Sequence, residues 1–125
     1  MKDSLAVLQF GESEEGSNMR DLYESIDKAM QEGRSFAVAT IIATKGSTPR
    51  KTGAKMLVFP DGRFLGTIGG GCGEGEVLEE ALNALKDART RIVRVDLMES
   101  LESDDRVCGG IFEVFVEPVL LTGRR

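Results

Sequence analysis

Three consecutive glycines, Gly69 to Gly71, separate a strand-like run from a helix-like run, and they constrain the fold more than any other feature of the chain. Glycine tolerates positive φ and lets another group approach the backbone closely. A helix that follows presents unpaired N–H groups and the positive end of its dipole at its start. This arrangement favours an anion-binding loop, and a tight packing turn is the alternative. Cys72 lies at the junction, where a thiol ionises more easily than in water.

The glycine loop does not match two common nucleotide-binding motifs. A dinucleotide fingerprint that begins at Gly71 needs a glycine where the chain has Glu76, and a P-loop needs a lysine at that same position. We therefore expect backbone donors at a helix start to face an anionic or strongly polar ligand, without specificity for a nucleotide.

A second loop with anion-seeking residues precedes the first. It contains Ser47, Thr48 and Arg50 around Pro49. Two hydroxyl groups and one guanidinium on a proline-stiffened loop are suited to phosphate or carboxylate recognition. The alternative is a simple turn that carries a surface arginine.

A hairpin is expected to bring the two loops together. Lys55–Phe59 and Arg63–Ile68 are typical strands around Pro60-Asp61-Gly62, because Asp-Gly between apolar runs is a strong hairpin signal. The strands are antiparallel and similar in length, so the loops Ser47–Gly53 and Gly69–Gly71 should lie at the same end of the sheet. Their nearness favours a ligand site over two unrelated turns.

The first helix is predicted from about Met19 to Glu32, with Asn18 as its cap and Gly33 at its end. Its apolar residues recur at helical spacing and predict one stripe that packs in the core. The members of this stripe are Met19, Leu22, Tyr23, Ile26 and Met30.

The remaining elements predict the fold class. Phe36–Thr44 is almost entirely apolar and indicates a central strand that is buried on both faces. Gly75–Asp87 is amphipathic and predicts the second main helix. Arg91–Leu97 alternates like a half-buried strand, and Ile111–Val116 is a final strand that stops at Pro118. We expect a single α/β (α+β) domain with a mixed β-sheet, a central β-hairpin and two main helices packed on it.

Length and charge narrow the class of protein. A chain of 125 residues suffices for one domain, which we place at residues 19–121 after an N-terminal tail or short strand at residues 1–18. The net charge of −5 argues against nucleic-acid binding. The chain shows neither an apolar run of about 20 residues nor a signal-peptide pattern, so we expect a cytoplasmic location without membrane attachment.

The two cysteines leave several kinds of chemistry open. Cys72 and Cys108 each lie beside glycines near a strand end, so they are candidates for a sulfur or metal ligand pair, a redox pair or two buried thiols. Two cysteines without any histidine do not complete a structural zinc site, and they offer no catalytic triad. Glu74 and Glu76 are candidates for acid–base work, but acids at a helix start also stabilise its dipole.

The chain from about Asp21 to Leu120 resembles the N-terminal domain of the XdhC/CoxI family. The resemblance rests on several motifs that occur in the same order along the chain. They are Gly46-Ser47-Thr48-Pro49-Arg50, Gly53-Ala54-Lys55-Met56-Leu57-Val58, Asp61-Gly62, Gly66-Thr67-Ile68-Gly69-Gly70-Gly71-Cys72 with Glu74, and Cys108-Gly109-Gly110 followed by Glu113-Val114-Phe115 and Glu117-Pro118.

The resemblance implies a cofactor, partners and a site. Family members are accessory proteins of xanthine dehydrogenase and related molybdenum hydroxylases, which bind molybdenum cofactor (molybdopterin) as cargo, protect it, assist its sulfuration and pass it to the target enzyme. The expected protein is thus a chaperone and not an enzyme, with a sulfur donor, a Rossmann-domain partner and a homo-oligomer as further expectations. The implied cofactor-binding residues are Ser47, Thr48, Arg50, Gly69, Gly70, Gly71, Cys72, Glu74, Cys108, Gly109 and Gly110.

Two departures from the family keep other functions open. Family members often have an apolar residue after the first cysteine, where this chain has Gly73. Many members also carry a C-terminal Rossmann-like domain that this sequence lacks. The alternatives are a small cysteine-dependent redox or sulfur-transfer enzyme, and a one-domain regulatory paralogue that acts with a separate Rossmann-domain protein.

Overall fold

A computed structural model describes residues 18–48, 50–68, 73–97 and 110–121. The predicted N-terminal tail or short strand lies outside these residues, apart from Asn18. Within these ranges, two helices and five strands follow one another in sequence. They are α1 (Asn18–Gln31), β1 (Phe36–Lys45), β2 (Lys55–Val58), β3 (Phe64–Gly66), α2 (Glu74–Asp87), β4 (Arg91–Asp96) and β5 (Ile111–Val119).

The five strands form one sheet in the order β3-β2-β1-β5-β4. The predicted α+β class is confirmed, but the sheet is not mixed, since each of its four pairings is antiparallel. The reason is topological. Helix α2 is the crossover between β3 and β4, and these strands occupy opposite edges, so the crossover creates no parallel neighbours. The predicted β2–β3 hairpin forms, although at an edge of the sheet and not at its centre.

The central strand β1 is buried along its first half only. Ala37, Ala39 and Ile41 face α2, whereas Phe36 and Val38 face the opposite side of the sheet, where α1 lies. From Ile42 to Lys45 the strand is exposed, which differs from the burial predicted through Thr44. The register shifts between Ile41 and Ala43, and the strand extends beyond the helices that cover it.

Helix α2 and the sheet enclose the larger core. Val77, Ala81 and Ala84 on the helix are fully buried against the strands. Phe112, Val114 and Val116 of β5 and Val93 and Val95 of β4 complete this layer. The predicted alternation of β4 is therefore confirmed. Small residues on the helix allow it to lie close to the sheet, so its first turn is held at the end of the sheet where β3 ends.

Helix α1 packs on the other face, and its predicted stripe is only partly in the core. Leu22 is 2% exposed, but Met19, Tyr23 and Met30 are 44%, 51% and 51% exposed. The prediction that the whole stripe packs inside was wrong for these three residues. The buried side of the helix is centred on Leu22, with Ser25 and Ala29 as the other buried positions, so the flank that bears Tyr23 turns away from the core.

Strand β5 continues past its predicted end. Pro118 pairs with Ala37, and the strand ends at Val119. Proline lacks an N–H and is tolerated where a strand has an unpaired side. The pairing of β4 with β5 ends at Val116, so the last residues of β5 have β1 as a neighbour on one side only.

Candidate functional site

The described parts of all three predicted motifs lie at one end of the sheet. Ser47, Thr48 and Arg50 follow β1, Thr67 follows β3, and Gly110 precedes β5. Glu74 is the first residue of α2. The antiparallel register of β1, β2, β3 and β5 places these strand termini together.

Thr48 and Arg50 form a compact turn that directs the guanidinium to the neighbouring loop. The Thr48 hydroxyl donates a hydrogen bond of 3.0 Å to the Arg50 carbonyl oxygen. The Arg50 Nη1 donates to the Thr67 carbonyl oxygen at 3.5 Å. A guanidinium has five N–H donors, so this single described bond leaves most of its donors for an anion.

Thr67 connects the arginine loop with the start of α2. Its hydroxyl donates a hydrogen bond to Oε2 of Glu74, while its carbonyl accepts from Arg50. The contact chain Arg50–Thr67–Glu74 thus joins the first loop to both flanks of the glycine loop. Thr67 is not among the site residues predicted from the sequence. Its position between a strand end and the glycines, with a hydroxyl in an apolar run, is the signal that could have identified it.

Gly73 allows α2 to begin close to the sheet. Its φ is 80°, in the left-handed region, and a Cβ at this position would lie 2.6 Å from Cγ1 of Val95. Both the backbone conformation and the close approach require glycine. Gly73 is the N-cap of α2 and supplies no side-chain acceptor, so the first N–H donors of the helix are not capped by it.

Gly110 holds the third motif against the first. It is buried, and a Cβ on it would lie 2.6 Å from the Ser47 carbonyl oxygen and 2.7 Å from that of Lys45. Its own carbonyl accepts a hydrogen bond of 2.9 Å from the Leu97 N–H. The close approach explains why this position needs glycine and fixes where the Cys-Gly-Gly motif joins β5.

The other predicted site residues lie outside the described residues. They are Gly69, Gly70, Gly71, Cys72, Cys108 and Gly109. The described residues that flank them, Ile68, Gly73 and Gly110, are at the end of the sheet where Arg50 and Thr67 meet. The cofactor-binding roles of all eleven predicted residues remain predictions.

One groove lies at each end of the sheet. A groove of about 310 Å³ lies beside the site, and a larger one of about 480 Å³ lies at the opposite end of the sheet. The nearer groove is lined by Ala43, Thr44, Lys45, Arg94, Ile111, Phe112 and Glu113. Its charged walls carry both signs. Within the described residues, no three His, Cys, Asp or Glu side chains are grouped in a way that could hold a metal ion.

Neither described helix could cross a bilayer, because both are too short and too polar.

The described residues define a small α+β domain in which several strand-end loops lie at one end of the sheet. Comparison with known proteins identifies its family. A match to the XdhC and CoxI family covers residues 29–96, which is more than half of the chain. The chain therefore belongs to the XdhC and CoxI family.

Three curated proteins are similar to this chain over part of their length. "Uncharacterized protein YqeB" of Escherichia coli is 37% identical over 100 residues, which is 77% of this chain and 18% of YqeB. A protein of Bacillus subtilis that is named as a probable xanthine dehydrogenase component is 30% identical over 86% of this chain and 33% of that protein. "Molybdenum cofactor insertion chaperone PaoD" of Escherichia coli is 34% identical over 54% of this chain and 21% of PaoD. The chain spans about a third or less of each.

A solved structure shares the fold. The crystal structure of a xanthine dehydrogenase (BH1974) from Bacillus halodurans superposes with a TM-score of 0.65 at 31% identity. The similarity covers 76% of this chain and 29% of that one. The fold described above thus matches less than a third of the Bacillus halodurans chain.

Proposed function

We propose that this domain is an accessory protein that binds molybdenum cofactor and assists its sulfuration and insertion into a xanthine dehydrogenase-type molybdenum hydroxylase. The observation that carries the proposal is the contact chain Arg50–Thr67–Glu74, which joins the Ser-Thr-Pro-Arg loop to both flanks of the glycine loop. Membership in the XdhC and CoxI family supports molybdenum cofactor as the ligand.

The chemistry of the described residues fits the phosphate end of such a cofactor. Arg50 brings a fixed positive charge with planar donors, which pair well with phosphate oxygens. The start of α2 at Gly73 adds uncapped backbone donors and the positive end of the helix dipole. Lys45 and Lys51 add further positive charge close to this loop. Together these groups would bind an anion, and none of them is assigned to the recognition of a nucleotide base.

The proposal gives each loop a separate task. The Arg50 loop and the glycine-loop amides hold the phosphate, and Cys72 or Cys108 supplies soft sulfur to the metal–dithiolene end of the cofactor. Bound molybdenum cofactor contributes the redox-active metal and its sulfur ligands, which are destined for the target enzyme. The chain itself binds, orients and shields this cargo, so its role is that of a chaperone and not of an enzyme.

The partners follow from the same proposal. PaoD is named as an insertion chaperone for molybdenum cofactor, and this chain is similar to about a fifth of it. We infer that the domain acts with a molybdenum hydroxylase as acceptor and with further polypeptide, such as a Rossmann-type domain, that completes the hand-over. The cytoplasmic location expected from the sequence belongs to the same proposal.

An anaerobic binding titration tests the cargo. The parent chain should bind molybdenum cofactor stoichiometrically and retain it through gel filtration. Arg50→Ala should weaken the binding of both the metal-containing cofactor and its metal-free pterin phosphate by about 10- to 150-fold, which corresponds to about 1.5–3 kcal/mol for a charge-assisted contact. Arg89→Ala, an exposed arginine beyond the far end of α2, is the matched control and should bind like the parent.

Two outcomes would contradict the proposal. If Arg50→Ala binds both ligands like the parent while its fold is intact, the phosphate is not held by this loop. If the parent retains no cofactor but transfers a persulfide sulfur from Cys72 to an acceptor with turnover, the chain is a sulfur-transfer enzyme and not a chaperone.

A further inference from the structure

The groove beside the site is bounded by three adjacent strands. Lys45 of β1, Ile111 and Glu113 of β5 and Arg94 of β4 are among the residues that line it, and we name it the β1–β5 groove. Its volume of about 310 Å³ is at the lower end of the range for small-molecule pockets. The β1–β5 groove therefore suits one flat ring system and is too small for a dinucleotide.

A register shift in β1 forms one wall of this groove. Ile41 pairs with Val114, and both side chains are buried under α2, but Ala43 pairs with Glu113, which alternates to the opposite face of the sheet. The shift reverses the alternation of β1, so that Ala43 and Lys45 share the face of Glu113. Because Ala43 has only a methyl group, the position opposite Glu113 leaves room for a ligand.

The half-buried Glu113 side chain has no polar partner among the described residues. Arg94 lies directly opposite on the neighbouring strand, yet no ion pair joins the two side chains, whereas three other arginines of the described ranges are paired with acids. A carboxylate that is partly removed from water without gaining donors is unfavourable. The groove therefore favours a ligand that brings N–H donors to Glu113.

The charged groups of the groove are arranged for a ring with a particular edge. Glu113 offers two acceptor oxygens, and the flanking strands bring the donors of Arg94 and Lys45. The amino-oxopyrimidine ring of a pterin presents the complementary edge. Its amino group and ring N–H can donate to one carboxylate, and its oxo group can accept from a neighbouring cation.

We propose that the β1–β5 groove binds the pterin ring of the cargo, and that Glu113 recognises the amino and N–H edge of this ring. The identity of the cargo rests on the proposed function. The inference adds a third contact region to those at the phosphate and at the metal. Ile111 supplies apolar surface for the ring, and Glu113 excludes rings that lack two adjacent donors.

One elongated ligand can reach both the groove and the phosphate-binding loop. The residues after Lys45 and before Ile111 belong to the site, since a Cβ on Gly110 would lie 2.6 Å from the Ser47 carbonyl oxygen. Three strand spacings of about 4.8 Å separate β5 from β3, near whose end the Arg50 guanidinium lies. The two ends of the site are thus on the order of 15 Å apart. A pterin with its phosphate on a side arm is elongated in this way.

Fluorescence titration of the full chain with hydroxymethylpterin, which carries no phosphate, tests the groove by itself. The parent should quench the pterin fluorescence to saturation. Glu113→Gln should weaken this binding by about 10- to 100-fold, because the amide replaces one of two acceptors by a donor while the shape of the side chain is kept.

Glu117→Gln is the matched control and should bind hydroxymethylpterin like the parent. Glu117 is half-buried on the same face of β5, about 13 Å along the strand, and it does not line the groove. Thermal unfolding verifies that both variants fold. A parent that does not bind hydroxymethylpterin, or equal weakening by Glu113→Gln and Glu117→Gln, would overturn the proposal.

Nucleosides distinguish a pterin from a purine that carries the same edge. Guanosine has the same pair of donors and adenosine lacks it, so adenosine should not bind. Guanosine should bind more weakly than hydroxymethylpterin, because its ribose must also enter a groove that suits one ring system. Guanosine that binds as tightly as the pterin, with the same loss in Glu113→Gln, would assign the groove to a guanine base and refute the pterin assignment.

This inference and the proposed function fail in different ways. If the parent retains molybdenum cofactor and Glu113→Gln binds it equally well, the groove does not hold the pterin ring, while the proposed function stands. If hydroxymethylpterin binds in a manner that depends on Glu113 but molybdenum cofactor is not retained, the groove is supported as a pterin site and the proposed function is refuted.

Discussion

Gly73 and Val95 lie so close that a single added carbon on the glycine would be 2.6 Å from Cγ1 of the valine. Gly73 belongs to the loop that opens α2, and Val95 belongs to an edge strand whose side chains lie under this helix. The contact therefore determines how near the helix start can come to the sheet, and with it the position of Glu74 and its bond to Thr67.

Gly73→Ala should destabilise the fold. The substitution places a Cβ in the left-handed backbone region and against Val95, with costs of about 1–2 kcal/mol for the backbone and 1–3 kcal/mol for overpacking. Urea unfolding should show a loss of about 2–5 kcal/mol. Gly75→Ala is the matched control. It lies in the first turn of α2 with no atom within 4 Å of the added carbon, so it should stabilise the fold by about 0.5–1 kcal/mol. An equal effect of both substitutions would disprove the role of the Val95 contact.

Thr67→Val should loosen the contact chain without changing side-chain size. The variant leaves the half-buried Glu74 carboxylate without the Thr67 hydroxyl as a hydrogen-bond donor. The free energy of unfolding should fall by about 1–3 kcal/mol, and by less if a water molecule replaces the hydroxyl as donor. We expect a lower unfolding free energy and weaker binding of the metal-free pterin phosphate. Thr67→Ser keeps the hydroxyl and should restore most of both quantities. If Thr67→Ser loses as much stability and binding as Thr67→Val, the contribution of Thr67 comes from its methyl group and not from its hydrogen bond.

Cys72→Ser should affect only one end of the proposed cargo. Sulfur is soft and polarisable, and oxygen is not, so the substitution should weaken binding of the metal-containing cofactor at least 10-fold and leave the metal-free form nearly unchanged. Paired titrations with the two ligands measure this selectivity. A misfolded variant would lose both ligands and melt early, which thermal unfolding detects. Equal affinity of Cys72→Ser and the parent for both forms would indicate that this cysteine packs at a turn and does not contact the cargo.

The hairpin turn predicts how stability depends on pH. The Arg63 backbone N–H donates to Asp61 at 3.0 Å, and its guanidinium Nε donates at 2.8 Å, so both hold the pKa of Asp61 below the ordinary value of 3.8. A carboxyl with a lowered folded-state pKa stabilises the fold above its unfolded pKa, and this contribution is lost as the pH falls through the folded pKa.

Asp61→Asn checks that dependence. At neutral pH the variant should unfold more easily than the parent, and the difference should shrink as the pH falls below about 3.8. Because Asp61 is largely exposed, the effect should be small and should decrease with added salt. A difference that stays constant from neutral to acid pH would show that the turn does not depend on this carboxylate.

Local pattern was enough to predict the elements that position the site. Alternation and the Asp-Gly turn predicted β2, β3 and β4, and periodicity predicted both helices, because each of these signals arises within a few residues. The hairpin argument also led to the contact between the Arg50 loop and the residues that flank the glycine loop. The role of Thr67 was not predicted, because it depends on contacts with two residues at other positions in the sequence, Arg50 and Glu74.

The errors came from tertiary packing. The apolar residues of α1 predicted a buried stripe, but the helix is oriented so that only the side centred on Leu22 packs into the core. Pro118 predicted a strand end, but it lies where β5 has a neighbour on one side only, and proline is accepted there. Periodicity reports that a surface is apolar, and it does not report what covers the surface.

The order of strands has a consequence for how the protein is made. Strand β1 lies at the centre of the finished sheet, and one of its two neighbours, β5, is the last of the described strands. Synthesis proceeds from the N-terminus, so α1, β1, β2 and β3 emerge while the other side of β1 still has unpaired backbone groups. Until β5 emerges, the central strand is therefore a sheet edge of Val, Ile and Ala that can pair with any other strand it meets. Only when residues 111–119 leave the ribosome can β5 pair with that edge and close it, so the exposed edge of β1 persists until the polypeptide beyond residue 110 has been made.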